Sequence, residues 1–138
     1  MMINSFETVR RIIFGTGSLE NLGNEINRVN GSRVLVVTDP GLKNAGVLDS
    51  VTAALDKTKL NYSVFAEVEP DPRVEVALGC VAAAKDYRPD VIVGLGGGSS
   101  LDISKIASVL LTNEGPIEKY FGMELVPRPG VPLILIPT

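Results

Sequence analysis

Residues 90–102 read DVIVGLGGGSSLD, and this stretch decides the fold class. Its first part, residues 90–95, is a largely apolar run of the kind found in strands that are buried on both faces of a parallel sheet. Three consecutive glycines follow and predict a tight turn. Ser99 or Ser100 then opens a predicted helix that reaches about Thr112. A strand, a glycine turn and a helix in this order predict one unit of an α/β fold.

The same alternation extends to both sides of this stretch. Apolar, partly β-branched runs predict further strands at 33–38, 61–68 and 133–136. Apolar residues at helical spacing predict four further helices, at 18–28, at 47–57, from Pro72 to about Tyr87, and a short one at 117–121. Ser18 is the predicted cap of the first of these helices, and Asp71 is the predicted cap of the third. This order implies an α/β fold with a Rossmann-like parallel sheet, right-handed crossovers and helices on both faces.

The composition excludes several kinds of chemistry. The chain has 138 residues, which suits one domain, and it contains no histidine and one cysteine. A Ser-His-Asp triad, an imidazole metal ligand, a thiolate cluster and an internal disulfide are therefore excluded within this chain, and Cys80 is expected to be a small core residue. The net charge of −3 argues against nucleic acid as a partner. No signal peptide and no apolar run of membrane length are present, so we expect a cytoplasmic protein without a membrane partner.

The glycine turn suits a phosphate group. Backbone N–H groups and the positive end of a helix dipole converge where a strand passes into a helix. Gly96, Gly97 and Gly98 would let the backbone approach a phosphate without clashes from Cβ atoms. The segment departs from the usual dinucleotide fingerprint because Ser99 stands where its third glycine is expected. The alternative is a capped strand–helix turn that holds no ligand.

Asp39 is a candidate for binding an adenosine ribose. It ends the predicted strand at 33–38, where a carboxylate can accept both ribose hydroxyls and repel a 2′-phosphate. The alternative is an aspartate that only starts the Asp-Pro-Gly turn. Pro70 and Asp71 close another strand at the same edge of the sheet. They are candidates for lining an adenine pocket, or they only start the next helix.

Asp102 lies three residues after Ser99. That spacing predicts a capping box in which the Asp102 carboxylate bonds back to the residue that caps the helix. The carboxylate is also a candidate for facing the cleft beside the phosphate, and Lys105, one turn further on, can pair with it.

These motifs resemble those of the iron-containing (group III) alcohol dehydrogenases. The segments that carry the resemblance are Gly96-Gly97-Gly98-Ser99 with Asp102 and Lys105 (GGGSxxDxxK), Phe14-Gly15-Thr16-Gly17 (FGxG), Val37-Thr38-Asp39, Pro70-Asp71-Pro72 (PNP, with Asp71 where asparagine is common) and Leu135-Ile136-Pro137-Thr138 (the start of IPTTxGTGSE). The motifs occur in the family's order over the whole chain. The glycine–aspartate segment is the specific one, and the others support it.

The resemblance implies a two-domain enzyme of the dehydroquinate synthase-like superfamily, in which residues 1–138 are the NAD(P)-binding domain. By analogy, Gly97, Gly98 and Ser99 hold the pyrophosphate, while Asp39 binds the ribose and thereby favours NAD over NADP. Asp102 would lie near the nicotinamide, and Thr138 would contact the cofactor. The family's metal ligands, for Fe²⁺ or Zn²⁺, belong to a C-terminal helical domain absent from this chain, so no catalytic or metal-binding residue is carried over. The apolar strand at 133–136, two residues from the last residue and without a covering helix, likewise leads us to expect a piece of a longer protein.

The expected function of the whole protein is hydride transfer between a small alcohol or aldehyde and NAD(P). The chain alone is expected to bind NAD weakly and to be inactive. The resemblance also implies a homo-oligomer, because family members often dimerise through an edge strand of this domain. Alternatives are a glycerol dehydrogenase or dehydroquinate synthase-like enzyme of the same fold, or a stand-alone nucleotide-binding module.

Overall fold

The computed structural model describes residues 2–3, 8–122 and 124–138. Its centre is a sheet of four parallel strands in the order β2-β1-β3-β4. The strands are β1 (Arg33–Val37), β2 (Asn61–Phe65), β3 (Val91–Gly96) and β4 (Leu133–Pro137). The prediction of a parallel α/β sheet is confirmed. Because all four strands run the same way, their carboxyl ends share one edge of the sheet.

Helices cover both faces of this sheet. They are α1 (Leu22–Arg28), α2 (Pro40–Asn44), α3 (Val47–Asp56), α4 (Val74–Tyr87) and α5 (Gly98–Leu110), with 3-10 turns at Ser18–Asn21 and Ile117–Tyr120. Leu35 and Val37 of β1 pack with α4 and α5 in one apolar cluster. Val34 and Val36 pack with α1 and α3 in a second cluster. Alternate side chains of a strand point to opposite faces, and this explains why β1 is apolar throughout.

Two helices outside the glycine turn do not start where the sequence predicts. Ser18 caps no helix, because Gly17, at φ 79°, leads into the 3-10 turn and α1 begins only at Leu22. Asp71 does not cap α4 either, since this helix begins at Val74 with Arg73 before it and without a side-chain cap.

The chain before α4 is held in a turn of its own. Asp71 lies in the left-handed region at φ 45°, and the Arg73 guanidinium bonds back to the Glu69 carboxylate at 2.7 Å between Nε and Oε1. A residue that caps a helix has an extended backbone, so Asp71 cannot cap α4 and the helix starts later than the sequence pattern indicated.

The second strand is also shorter than predicted. Regular pairing ends where Val37 lies opposite Phe65. Beyond this point β1 turns into α2 at Pro40, which has no N–H to donate. The N–H of Val68 still donates to the Thr38 carbonyl at 3.2 Å, so the chain stays beside the end of β1 without forming a strand.

Helix α5 packs closely on β3 and on the chain that enters β4. A Cβ on Gly94 would lie 2.5 Å from the Ser104 hydroxyl oxygen, and one on Gly130 would clash with the hydroxyl oxygen of Ser108. Glycines facing serines therefore let the helix approach the sheet. The Ser108 hydroxyl also donates to the Val131 carbonyl at 2.6 Å, which holds the entry to β4.

At the amino edge of the sheet, Asp90 ties β3 to β1. Its carboxylate accepts hydrogen bonds from the hydroxyl of Ser32 at 2.6 Å and from the backbone N–H of Arg33 at 2.8 Å. Partial burial raises the pKa of Asp90, but the hydrogen bonds from Ser32 and Arg33 outweigh burial and hold the pKa below its usual value. None of the described helices is both long and apolar enough to cross a membrane.

Candidate functional site

Residues from three strands meet at the carboxyl edge of the sheet. Gly96 ends β3, and its neighbour on β4 is Pro137. The backbone N–H of Thr138 donates to the Gly96 carbonyl at 3.1 Å. On the other side, the Asp39 Oδ2 atom lies 3.3 Å from the position that a Cβ on Gly96 would occupy. The structure therefore brings together Asp39, Gly96 and Thr138, which the sequence had placed far apart.

Gly96 is required by the fold itself. Its φ of +142° is a conformation that residues with a side chain rarely adopt. A Cβ here would lie 2.8 Å from the Ser100 hydroxyl oxygen and 2.9 Å from the Ser100 Cβ. The first glycine of the turn is thus explained by the close approach of α5 to β3.

Gly97 and Gly98 have no such internal explanation. Gly97 has φ −80° and ψ −171°, an extended conformation open to any residue. A Cβ on either glycine would meet nothing within 4 Å among the described atoms. The missing side chains leave bare backbone facing open space, and a ligand that approaches the backbone closely would need this space.

The amino terminus of α5 lies at this bare backbone. Gly97 caps the helix without a side-chain hydrogen bond, and no acidic residue stands in the first turn. The first N–H groups of a helix have no partner within the helix, and the helix dipole makes this end favourable for an anion. Within the described chain, no side chain takes the place of that anion at the cap.

The capping box predicted for Ser99 and Asp102 is wrong. The cap is Gly97, two residues before Ser99, so Asp102 lies beyond the third residue after the cap, from which a side chain can bond back to it. Its carboxylate instead accepts a hydrogen bond from the Lys105 ammonium at 3.1 Å, which confirms the predicted pairing of these two residues. Both side chains are exposed, and Ser99 is half-buried.

Asp39 has two structural roles. It caps the short helix α2, with its Oδ1 accepting the backbone N–H of Leu42 at 2.9 Å, while Oδ2 lies beside Gly96. The turn-starting role and a role toward a ligand are therefore compatible, because they use different oxygens of one carboxylate. The preceding residue, Thr38, is fully buried, and its hydroxyl has no hydrogen-bond partner among the described residues. Its only signal in the sequence was a polar residue at the end of an apolar strand.

Pro70 and Asp71 lie farther from the glycine turn. Both are exposed in the loop that follows β2, at the same edge of the sheet. Because β1 lies between β2 and β3, one strand separates this loop from the glycine turn. The two residues lie at the same edge of the sheet as the other candidates but in a separate loop.

The remaining metal-ligating side chains form no metal site in the described part of the chain. No group of three or more histidine, cysteine, aspartate or glutamate residues suited to a metal ion is found there. Cys80 is buried in α4, and burial raises the pKa of its thiol to about 12. The described residues therefore do not fit a metal centre. The candidate site is the carboxyl edge of the sheet around Gly96, Gly97 and Gly98.

An open parallel sheet with a glycine turn and a carboxylate at its carboxyl edge defines the chain as a Rossmann-like α/β domain. A sequence model of the family described as iron-containing alcohol dehydrogenase matches residues 9–138. The chain belongs to this family.

Individual relatives agree with the family match. The chain is 46% identical over 131 residues to a sulfoacetaldehyde reductase of Bilophila wadsworthia, an alignment that covers 95% of the chain and 34% of the relative. It is 37% identical over 140 residues to long-chain-alcohol dehydrogenase 1 of Geobacillus thermodenitrificans, covering 95% and 35%. The crystal structure of NADH-dependent butanol dehydrogenase A from Thermotoga maritima superposes with a TM-score of 0.88 at 27% identity, covering 99% of the chain and 34% of that structure. The chain thus spans about a third of the length of these relatives.

Proposed function

We propose that residues 1–138 are the NAD-binding domain of a metal-dependent alcohol dehydrogenase, which transfers hydride between a small alcohol or aldehyde and NAD. The observation that carries the proposal is the bare backbone at Gly97 and Gly98. It lies at a helix terminus without a side-chain cap, next to Gly96, which has the Asp39 carboxylate beside it. A dinucleotide has both groups that this edge can recognise, a pyrophosphate and a ribose with two hydroxyls.

The pyrophosphate is assigned to Gly97, Gly98 and Ser99. Their N–H groups belong to the cap and first turn of α5, where a negative charge is stabilised by about 0.3–1 kcal/mol through the helix dipole, in addition to the hydrogen bonds. An anion at this terminus needs no lysine or arginine, because backbone N–H groups supply the donors.

The adenosine ribose is assigned to Asp39. Its Oδ2 is the oxygen that the α2 cap leaves unused, and it points to the edge where the phosphate site begins. A carboxylate here accepts ribose hydroxyls and repels the 2′-phosphate of NADP, so NAD is the expected cofactor. Pro70 and Asp71 are proposed to line the adenine pocket. As their family motifs imply, Asp102 is proposed to lie toward the nicotinamide, and Thr138 is proposed to contact the cofactor.

When bound, NAD would supply the hydride acceptor of the reaction. The residues of this chain bind and orient that cofactor. They provide no cluster for the metal in the described part of the domain. The matched relatives are about three times as long, and we assign the metal ligands and the catalytic residues to the corresponding further domain.

The chemistry of the relatives supports the proposed substrate class. One is a sulfoacetaldehyde reductase and another a long-chain-alcohol dehydrogenase, so an alcohol or aldehyde is the shared chemistry. We further propose a cytoplasmic homo-oligomer. The apolar side chains of Val9, Ile12 and Phe14 are exposed in the segment before α1, and a second copy would cover them. Neither nucleic acid nor a membrane is proposed as a partner.

Calorimetric titration of the purified chain with NAD tests the proposal. We expect measurable, weak binding that ADP-ribose competes away, and no oxidation of alcohols when NADH formation is followed at 340 nm. Absence of binding at millimolar NAD would refute the cofactor assignment. Turnover by the chain alone would refute the assignment of catalysis to a further domain.

A further inference from the structure

Ser100 lies beside Gly96, between the proposed pyrophosphate site at Gly97 and Gly98 and the proposed ribose site at Asp39. It occupies the first turn of α5, and only 2% of its surface is exposed. Its hydroxyl oxygen lies 2.8 Å from the position that a Cβ on Gly96 would take, and the Asp39 Oδ2 lies 3.3 Å from the same position. The two oxygens, one from a helix and one from a strand end, therefore flank the same point beside Gly96.

The Ser100 hydroxyl makes no hydrogen bond to the other described residues, in contrast with the next serines along the helix. Ser104 donates to the Ser100 carbonyl at 2.7 Å, and Ser108 donates to the Val131 carbonyl at 2.6 Å. Ser100 thus carries an unused donor and acceptor at the edge where Asp39 carries an unused acceptor.

We infer that Ser100 binds the adenosine ribose together with Asp39. This inference rests on the proposed NAD-binding function and adds a residue to it. A ligand hydroxyl suits two such neighbours, because it donates its proton to the Asp39 carboxylate while its oxygen accepts the Ser100 hydroxyl. A phosphate beside Asp39 would be repelled by its carboxylate, so the phosphate belongs at Gly97 and Gly98, since no acidic residue stands in the first turn of α5.

Removing the hydroxyl separates this role from a structural one. Because the Ser100 hydroxyl has no partner in the described chain, Ser100→Ala is expected to leave the thermal midpoint unchanged or slightly raised. The same variant should bind NAD about 3- to 10-fold more weakly, the loss expected for one neutral hydrogen bond. A structural role would lower the thermal midpoint and the affinity together.

The ribose assignment is tested with ADP and 2′,3′-dideoxy-ADP, which share the phosphates and differ only in the two ribose hydroxyls. Ser100→Ala should weaken ADP about 3- to 10-fold and leave dideoxy-ADP within about 2-fold of the wild-type chain. In an Asp39→Asn background, which keeps the oxygen that caps α2, the effect of Ser100→Ala should shrink.

The matched control is Ser104→Ala, the same substitution on the same helix at a buried serine whose hydroxyl is already used. It should cost some stability and show no preference between ADP and dideoxy-ADP. Equal weakening of both nucleotides by Ser100→Ala, or no weakening of either, would overturn the inference while leaving the proposed function standing. A wild-type chain that binds neither NAD nor ADP would overturn both.

Discussion

Replacing Gly97 by alanine should separate cofactor binding from stability. The backbone of Gly97 is one that alanine adopts freely, and a Cβ there meets nothing within 4 Å in the described chain. Such a substitution stabilises a protein by about 0.4–1 kcal/mol, because it reduces the conformational freedom of the unfolded chain. The folded protein should therefore be at least as stable as the wild-type chain.

The affinity of Gly97→Ala for NAD should fall, although its stability is kept or raised. A methyl group on Gly97 fills the space through which a phosphate reaches the N–H groups of α5. Loss of one hydrogen bond to a charged group costs about 1.5–3 kcal/mol, and each 1.4 kcal/mol is a factor of about ten in the dissociation constant. We expect Gly97→Ala to weaken NAD roughly 10- to 100-fold, and Gly98→Ala to behave in the same way.

Gly96→Ala should show the contrasting behaviour. The positive φ and the contact with the Ser100 side chain at 2.8–2.9 Å each cost about 1–3 kcal/mol, so the urea midpoint should fall clearly. Gly79, on α4 and also without neighbours within 4 Å of its Cβ position, is the matched control. Gly79→Ala should raise stability by up to about 1 kcal/mol and leave the affinity for NAD unchanged.

The assay pairs urea unfolding with calorimetric titration for each variant. The reasoning is refuted if Gly97→Ala binds NAD as tightly as the wild-type chain with an intact fold. It is equally refuted if Gly97→Ala loses as much stability as Gly96→Ala, because the space at Gly97 would then be needed by the protein itself.

Further predictions concern three side chains. Asp39→Gly should raise the affinity for NADP relative to NAD and cost only a few tenths of a kcal/mol in stability, since glycine also caps helices; an unchanged preference in titrations with both cofactors would contradict the ribose assignment. The folded pKa of Asp90 is lowered, so its stabilising effect is complete above the ordinary pKa of about 3.9 and is lost as the pH falls through the lower folded value. Asp90→Asn should therefore flatten the acid side of a stability-against-pH curve, and an unchanged slope would show that its hydrogen bonds do not matter. Because burial raises the pKa of Cys80 to about 12, iodoacetamide at pH 8 should label this thiol only after unfolding, and rapid labelling of the folded chain would show that the thiol is accessible.

Much of the fold could be predicted from local patterns. The apolar runs of β1 and β3 identified strands buried on both faces, and the glycines after β3 identified the turn. The starts of helices were predicted less well. Asp71 has the right residue type for a cap, yet its backbone is left-handed at φ 45°, and α4 begins only at Val74. The backbone conformation at this loop depends on the surrounding fold, which residue preferences alone do not specify.

The candidate site, too, could be predicted only in part from local sequence patterns. Its residue types were visible in the sequence, because glycine, serine and aspartate after buried strands are the groups that a nucleotide site uses. Ser100 was considered only as a helix start, since a serine at this position predicts a cap when read locally. Its position near Gly96 and Asp39 became visible only when α5 was seen packed against Gly96.

The sequence by itself determined the fold class, because strand burial, helix periodicity and glycine turns depend on residues close together in the chain. The tertiary structure decided what each residue of the turn is for. Strand register sets Asp39 beside Gly96, and the packing of α5 against β3 makes Gly96 a requirement of the fold while leaving Gly97 and Gly98 facing open space. These distinctions depend on distances between elements far apart in the chain, and only the folded chain contains those distances.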